Sequence, residues 1–257
     1  MYDSDPALAG LPAGLRDSVH SALTALRQAL PATVVDTADP AFDAAPRVLA
    51  ASGFVRDLCV RQPQWLGELI TSGRLGKAED GATLSRQIAS ELDAVADEAD
   101  LRATLRRLRA REMLRIAWRD LAGWADLDET LHALSTLADS CIDGALRRLH
   151  AWLCEQTGTP RTTAGAPLSL VVFGMGKLGG GELNFSSDVD LMFAFESPGV
   201  CDGPRALDAE EFFVRLSRRL IGVLDEPDAN GRVFRVDARL RPFGGSGPLA
   251  ISFDAME

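Results

Sequence analysis

The chain has 257 residues, 46% apolar and 25% charged, with a formal net charge of −10. That length holds one large domain or two smaller ones with ample material for a core, and the negative balance argues against sequence-blind binding of long nucleic acid, while a single nucleotide held through a metal and a few local cations stays compatible. The opening Met1–Leu15 has no basic segment, and no window reaches the roughly 18 uninterrupted apolar residues of a membrane span, so a cytoplasmic chain with no signal peptide is expected.

Residues 1–156 are rich in Ala, Leu, Arg and Glu, with apolar side chains at helical spacing. Helices are predicted near 15–30, 41–61, 63–73, 83–98, 100–124 and 127–156. In the fifth, Leu105, Leu108, Met113, Ile116 and Leu121 form an apolar stripe. The arginines between them (102, 106, 107, 109, 111, 115 and 119) admit a polyphosphate or RNA surface, but interleaved Glu112 and Asp120 favour a solvated helix face.

Composition changes after Thr157. The run Thr157–Pro167 is built from turn formers and reads as a linker. Leu168–Phe173 and Val189–Phe195 are short apolar runs of the kind found in buried strands. Ala206–Leu224 returns to helical spacing, with Phe212, Phe213, Leu216, Leu220 and Val223 toward a core. A third strand is predicted over Val233–Leu240, entered by a turn at Asp228–Gly231, followed by a tight loop at Gly244–Pro248. Ser252 caps what reads as the opening of a helix, and from that stop the chain is expected to be a fragment. The fold class expected is α+β, a helical region over 1–156 and a small mixed sheet with flanking helices over 157–257.

The four cysteines (Cys59, Cys141, Cys154, Cys201) form no CxxC pair, and His20, His132 and His150 have no metal-ligand spacing. Reduced, mostly buried thiols are expected. Gly174, Gly176 and Gly179 spell G-x-G-x-x-G after a strand, with Glu196 about 20 residues on, the pattern of an NAD-binding oxidoreductase. The following Gly180–Ser187 is short, polar and glycine-interrupted, unfit for the crossover helix such a fold requires. A Walker A loop fails because no Ser or Thr follows Lys177.

A stronger signal comes in Ser186-Ser-Asp-Val-Asp-Leu-Met-Phe193. Asp188 and Asp190 stand two apart at the start of a strand, on one face, with Cα atoms roughly 6.5–7 Å apart. Carboxylates that close repel unless a cation lies between them, and hard oxygen donors suit Mg²⁺. Asp237, the one acid in Phe234–Leu240, supplies the third carboxylate of a clamp for in-line phosphoryl displacement. Gly174, Gly176, Gly179 and Gly180 let backbone N–H groups approach phosphate. Ser186, Ser187 and Lys177 are candidate phosphate contacts, as are Arg239 and Arg241, for which charge balance against the acids is an equal alternative.

The segments Gly174–Leu191, Arg235–Gly244 and Ser246–Leu249 closely resemble the bifunctional glutamine synthetase adenylyltransferase/adenylyl-removing enzymes. The resemblance implies a nucleotidyltransferase core of polymerase-beta-like type, cut short at its C-terminal end. It implies Asp188, Asp190 and Asp237 as metal-binding acids. Further implications are glutamine synthetase as protein substrate, ATP, ADP and inorganic phosphate as small partners, and a PII signal protein as regulator of the longer family chain. The Asn184-Phe185 pair before the serines, and the helical front, resemble the N-terminal, adenylyl-removing copy. The alternative is a non-catalytic nucleotide-sensing or glutamine synthetase-docking module.

Overall fold

A computed structural model describes residues 8, 10–35, 40–229, 231–241, 244 and 247–256. The described helices are α1 (Ala13–Ala29), α2 (Pro40–Asp43), α3 (Ala45–Ala51), α4 (Gly53–Arg61), α5 (Pro63–Thr71), α6 (Gly81–Asp93), α7 (Glu98–Leu121) and α8 (Leu127–Thr157). Then follow β1 (Pro160–Arg161), β2 (Leu170–Met175), α9 (Gly176–Gly179), β3 (Val189–Phe195), β4 (Val200–Cys201), α10 (Ala209–Asp225), β5 (Val236–Asp237) and β6 (Ala250–Ser252). The protein is α+β, as expected.

The single helix predicted over 41–61 is three. Pro46 sits in the first turn of α3, where its missing N–H costs nothing. Ser52 then turns extended and its Oγ accepts from the Val55 N–H at 3.2 Å, starting α4. Elsewhere the predicted helices hold to within a few residues, except that the one predicted over 83–98 ends at Asp93 and Glu98 opens the next.

Residues divide into two compact units, Met1–Asp80 with Ala110–Ala133, and Gly81–Arg109 with Leu134–Glu257. These boundaries cut through α7 and α8, so the change of composition after 156 marks a change of secondary structure and not the edge of a compact unit. In the first unit Trp118, Leu114 and Ala117 of α7 are buried among Val19, Leu23, Val48, Leu49 and Leu66.

The arginines of this stretch of α7 depart from the solvated face predicted for them. Arg115 and Arg119 are buried, and Glu112 is wholly so. Glu112 accepts from Arg115 Nε at 2.9 Å and from Arg74 Nη2 at 3.0 Å, while Arg119 Nη1 donates to Leu75 O at 3.0 Å. Helical spacing alone could not tell an exposed charge from a buried, paired one, because the partners Arg74 and Glu79 come from a distant loop.

In the second unit a four-stranded mixed sheet has β3 at its centre. β2 runs antiparallel to it, Met175 opposite Asp190. Along its other edge β5 and β6 pair in succession, both parallel to β3. A dinucleotide-binding unit joins parallel strands, so the antiparallel β2–β3 pairing excludes that reading of the glycines. Val189, Leu191, Phe193 and Phe195 point to one sheet face and are buried. The helix α10 covers it, Phe213 stacking on Phe195 at 4.9 Å between centroids. Asp208 caps α10 by accepting from the Glu210 N–H at 2.8 Å.

The third predicted strand, 233–240, shrinks to Val236–Asp237. The N–H groups of Val233 and Phe234 are drawn to Leu224 O at the end of α10, at 3.1 and 2.9 Å. Beyond Asp237 the chain turns back on that residue's own carboxylate. At Ser252 the expected helix cap is absent: Ala250–Ser252 is a strand on β3, Ser252 makes no side-chain cap, and only the 3₁₀ turn Phe253–Ala255 follows. Three residues are too few for periodicity to declare a strand; the open edge of β3 decides it. Of the predicted turns, Asn230, Gly245 and Ser246 lie outside the described residues.

Candidate active site

The three acids converge on the sheet face opposite α10. Asp190 is the second residue of β3, and the parallel register sets it directly beside Asp237 of β5. Paired residues of neighbouring strands point to the same face, so these two carboxylates stand side by side. Asp188 lies two residues before Asp190, at the mouth of β3. Met192 and Phe173, themselves paired across β2 and β3, continue the face away from Asp190.

The surroundings of the three differ. Asp188 is ion-paired to Arg235, whose Nη2 also donates to Ser186 O at 3.2 Å. Asp237 takes the Arg239 backbone N–H at 2.8 Å and its Nε at 2.9 Å. Those bonds, the side-chain ones first, pull the Asp237 carboxyl down to about 2. The Arg239 guanidinium is raised in turn, mainly by Asp237 and further by the charges of Asp190 and Asp188, so one cationic group feels all three acids. Asp190 itself makes no hydrogen bond or ion pair with the described residues.

The glycines divide by role. Gly176 has φ +54°, and a Cβ there would lie 2.7 Å from Asp190 Oδ2; its bareness keeps the space beside the central carboxylate open. Gly174 and Gly179 instead press on each other at the β2–α9 corner, where a Cβ on Gly179 would run into Gly174 O. Gly180 closes α9, its N–H bonded to Gly176 O at 3.1 Å. Lys177 Nζ reaches Ser187 Oγ at 3.4 Å. Ser186 and Ser187 are tied to Asn184, whose Oδ1 accepts from Ser187 Oγ at 2.9 Å and the Ser186 N–H at 3.2 Å. Arg241 points elsewhere: it donates to Ala238 O at 2.6 Å and Gly247 O at 3.4 Å, bracing the loop after β5. It lines an open cavity of about 680 Å³ with Asp208, Glu211 and Arg218.

Two residues of the site were not predicted. Arg235 holds Asp188, and its signal was the alternation Arg235–Asp237–Arg239 in one extended run. Asn184 organises the serine turn, and its signal was a turn-forming side chain two and three residues before two hydroxyls.

Mg²⁺, expected from the paired carboxylates, is compatible with this donor set. All three acids offer hard carboxylate oxygens, and the missing side chain of Gly176 leaves the Asp190 oxygen accessible. Among the described residues no three acidic, His or Cys groups stand ready-made as a metal cluster. Asp188 and Asp237 are turned to their arginines. Three of the four cysteines are buried, and no described helix is long and apolar enough to cross a membrane.

The sequence model described as "Glutamate-ammonia ligase adenylyltransferase" matches residues 42–257. The chain is similar to curated proteins named bifunctional glutamine synthetase adenylyltransferase/adenylyl-removing enzyme. It is 51% identical to that of Thioalkalivibrio sulfidiphilus over 84% of this chain and 22% of the relative. For Nitrosococcus oceani the figures are 47%, 96% and 26%, and for Pseudomonas aeruginosa 48%, 98% and 27%. The chain thus spans about a quarter of the length of these relatives. With a match over residues 42–257 and identities near one half, the chain belongs to the glutamate-ammonia ligase adenylyltransferase family.

Proposed function

We propose that this chain carries the adenylyl-removing site of its longer protein, which splits AMP from a tyrosine of glutamine synthetase by phosphorolysis and releases ADP. The observation that carries this is the register of β3 on β5, which sets Asp190 beside Asp237 with Asp188 two residues upstream. In the proposed reaction an oxygen of inorganic phosphate attacks the phosphorus of the adenylyl group in line. The bond from that phosphorus to the tyrosine oxygen breaks, and the phenolate, of ordinary pKa near 10, takes a proton from water. No covalent protein intermediate is needed.

Asp188, Asp190 and Asp237 are the residues that would hold Mg²⁺, which when bound supplies charge neutralisation and Lewis-acid polarisation of phosphoryl oxygens. Gly176 keeps backbone close to the reacting phosphate without a clash. Lys177, exposed beside Ser187, orients the incoming phosphate as a mobile point charge. Control by a PII signal protein and the use of ATP in a second domain belong to the same proposal, for the longer chain and on the resemblance alone.

The test uses the full-length protein and adenylylated glutamine synthetase with Mg²⁺ and phosphate, following ADP release. Asp190→Asn and Asp237→Asn are each expected to cut the rate by at least ~100-fold, since loss of even an outer-shell partner of a metal costs about 10–100-fold. Normal phosphorolysis by both variants would leave the chain a docking or nucleotide-sensing module instead.

A further inference from the structure

We propose that Arg235 and Arg239 are exchangeable counter-ions of this site: each guanidinium neutralises a catalytic carboxylate while no divalent cation is bound, and is handed to phosphate oxygens when one enters. This deepens the proposed function and rests on it.

The geometry supports exchange in place of a fixed structural bridge. Arg235 stands just before the short strand Val236–Asp237 and Arg239 in the turn just after it, so the two arginines flank Asp237 in the chain. Arg235 closes on Asp188 and Arg239 on Asp237, while Asp190 between them takes neither. Both cations stand in water: the Arg239 side chain is 85% exposed and that of Arg235 57%. Ion pairs so exposed are weak and readily traded. A buried bridge such as Arg115 with Glu112 has no such freedom.

Charge counting points the same way. Three carboxylates against two guanidiniums leave one negative charge. A divalent cation and a doubly charged phosphate arriving together add nothing to that total. The forked guanidinium that fits a carboxylate fits phosphate equally, so each arginine can move from one to the other with its donors satisfied.

The arginines therefore oppose metal binding in the absence of phosphate and favour phosphate once metal is bound. A simple structural role would weaken both. The experiment titrates Mn²⁺ into the 257-residue chain, reading free Mn²⁺ by electron paramagnetic resonance, and then titrates inorganic phosphate into the Mn²⁺-loaded protein. Circular dichroism confirms that each variant is folded. Arg239→Gln is expected to bind Mn²⁺ alone up to ~5-fold more tightly, because an exposed competitor has gone. The same variant is expected to bind phosphate roughly tenfold more weakly, having lost a charge-assisted donor. Arg235→Gln should shift both in the same directions and serves if Arg239→Gln does not fold.

Unchanged Mn²⁺ affinity in both arginine variants, or a parallel loss of Mn²⁺ and phosphate binding, overturns the inference. Asp190→Asn is the control that separates the two proposals. If it loses Mn²⁺ while the arginine variants behave like the parent, only the counter-ion exchange fails. If it binds Mn²⁺ as the parent does, the metal site itself fails and the proposed function with it.

Discussion

The carboxyl of Asp237 is held at about 2 by Arg239, through its side-chain hydrogen bonds first and its backbone N–H next, against an opposing push from desolvation. A folded-state value below the ordinary carboxylate range means that the stabilisation is present above roughly pH 4 and is lost as pH falls through 2. A ¹³C NMR titration of the Asp237 carboxyl should therefore show a midpoint near 2, and Arg239→Gln should move it up toward the ordinary range. A parent midpoint already at the ordinary value would mean that the pair does not form in solution. Gly176 is a second residue where local geometry decides a property. Gly176→Ala combines a φ of +54° with a Cβ 2.7 Å from Asp190 Oδ2. About 1–2 kcal/mol of stability should go, measured by urea unfolding, with a fall in phosphorolysis of tenfold or more from the displaced carboxylate. Full activity at parental stability would show that Gly176 and Asp190 are not in contact.

Among the elements, α7 is the one whose character the pattern of residues misjudged. Its apolar stripe is real, with Leu105, Leu108, Met113 and Ile116 all buried, yet Glu112 and Arg115 are buried as well. Burial alone would raise the Glu112 carboxyl, but Arg115 and Arg74 carry it below the ordinary range. Its contribution is thus present above roughly pH 4 and declines as pH falls through the lowered value. Glu112→Ala leaves Arg115 buried without its nearest acid, at a cost of about 3–5 kcal/mol. Urea unfolding at pH 7 measures that loss, and the variant should also lose less stability than the parent between pH 5 and 3. A change under 1 kcal/mol would show that water reaches this network. The short strands carry the opposite lesson. β3 was legible in full, because six apolar residues around Asp190 in one short run mark a buried strand by themselves. β6 was not, since three residues carry no period; its identity comes from the edge of β3 that it completes.

For the whole molecule, the local and the non-local parts of the information separate cleanly. Helix spacing, the Asp188–Asp190 interval on one face of a strand, and the glycine and serine residues ahead of them follow from neighbours in the chain, and those were legible, as was the family, whose match covers residues 42–257. Local rules set dihedral angles and faces, and they act over a few residues. Tertiary structure alone decided that β5 lies parallel to β3 with Asp237 opposite Asp190, and that β2 runs antiparallel and so removes the dinucleotide reading. It also decided that Arg241 braces a loop while Arg235 meets an acid. Each of these depends on which strand edge or charge is left open after the rest of the chain has packed, and residues 47 positions apart, such as Asp188 and Arg235, meet only then.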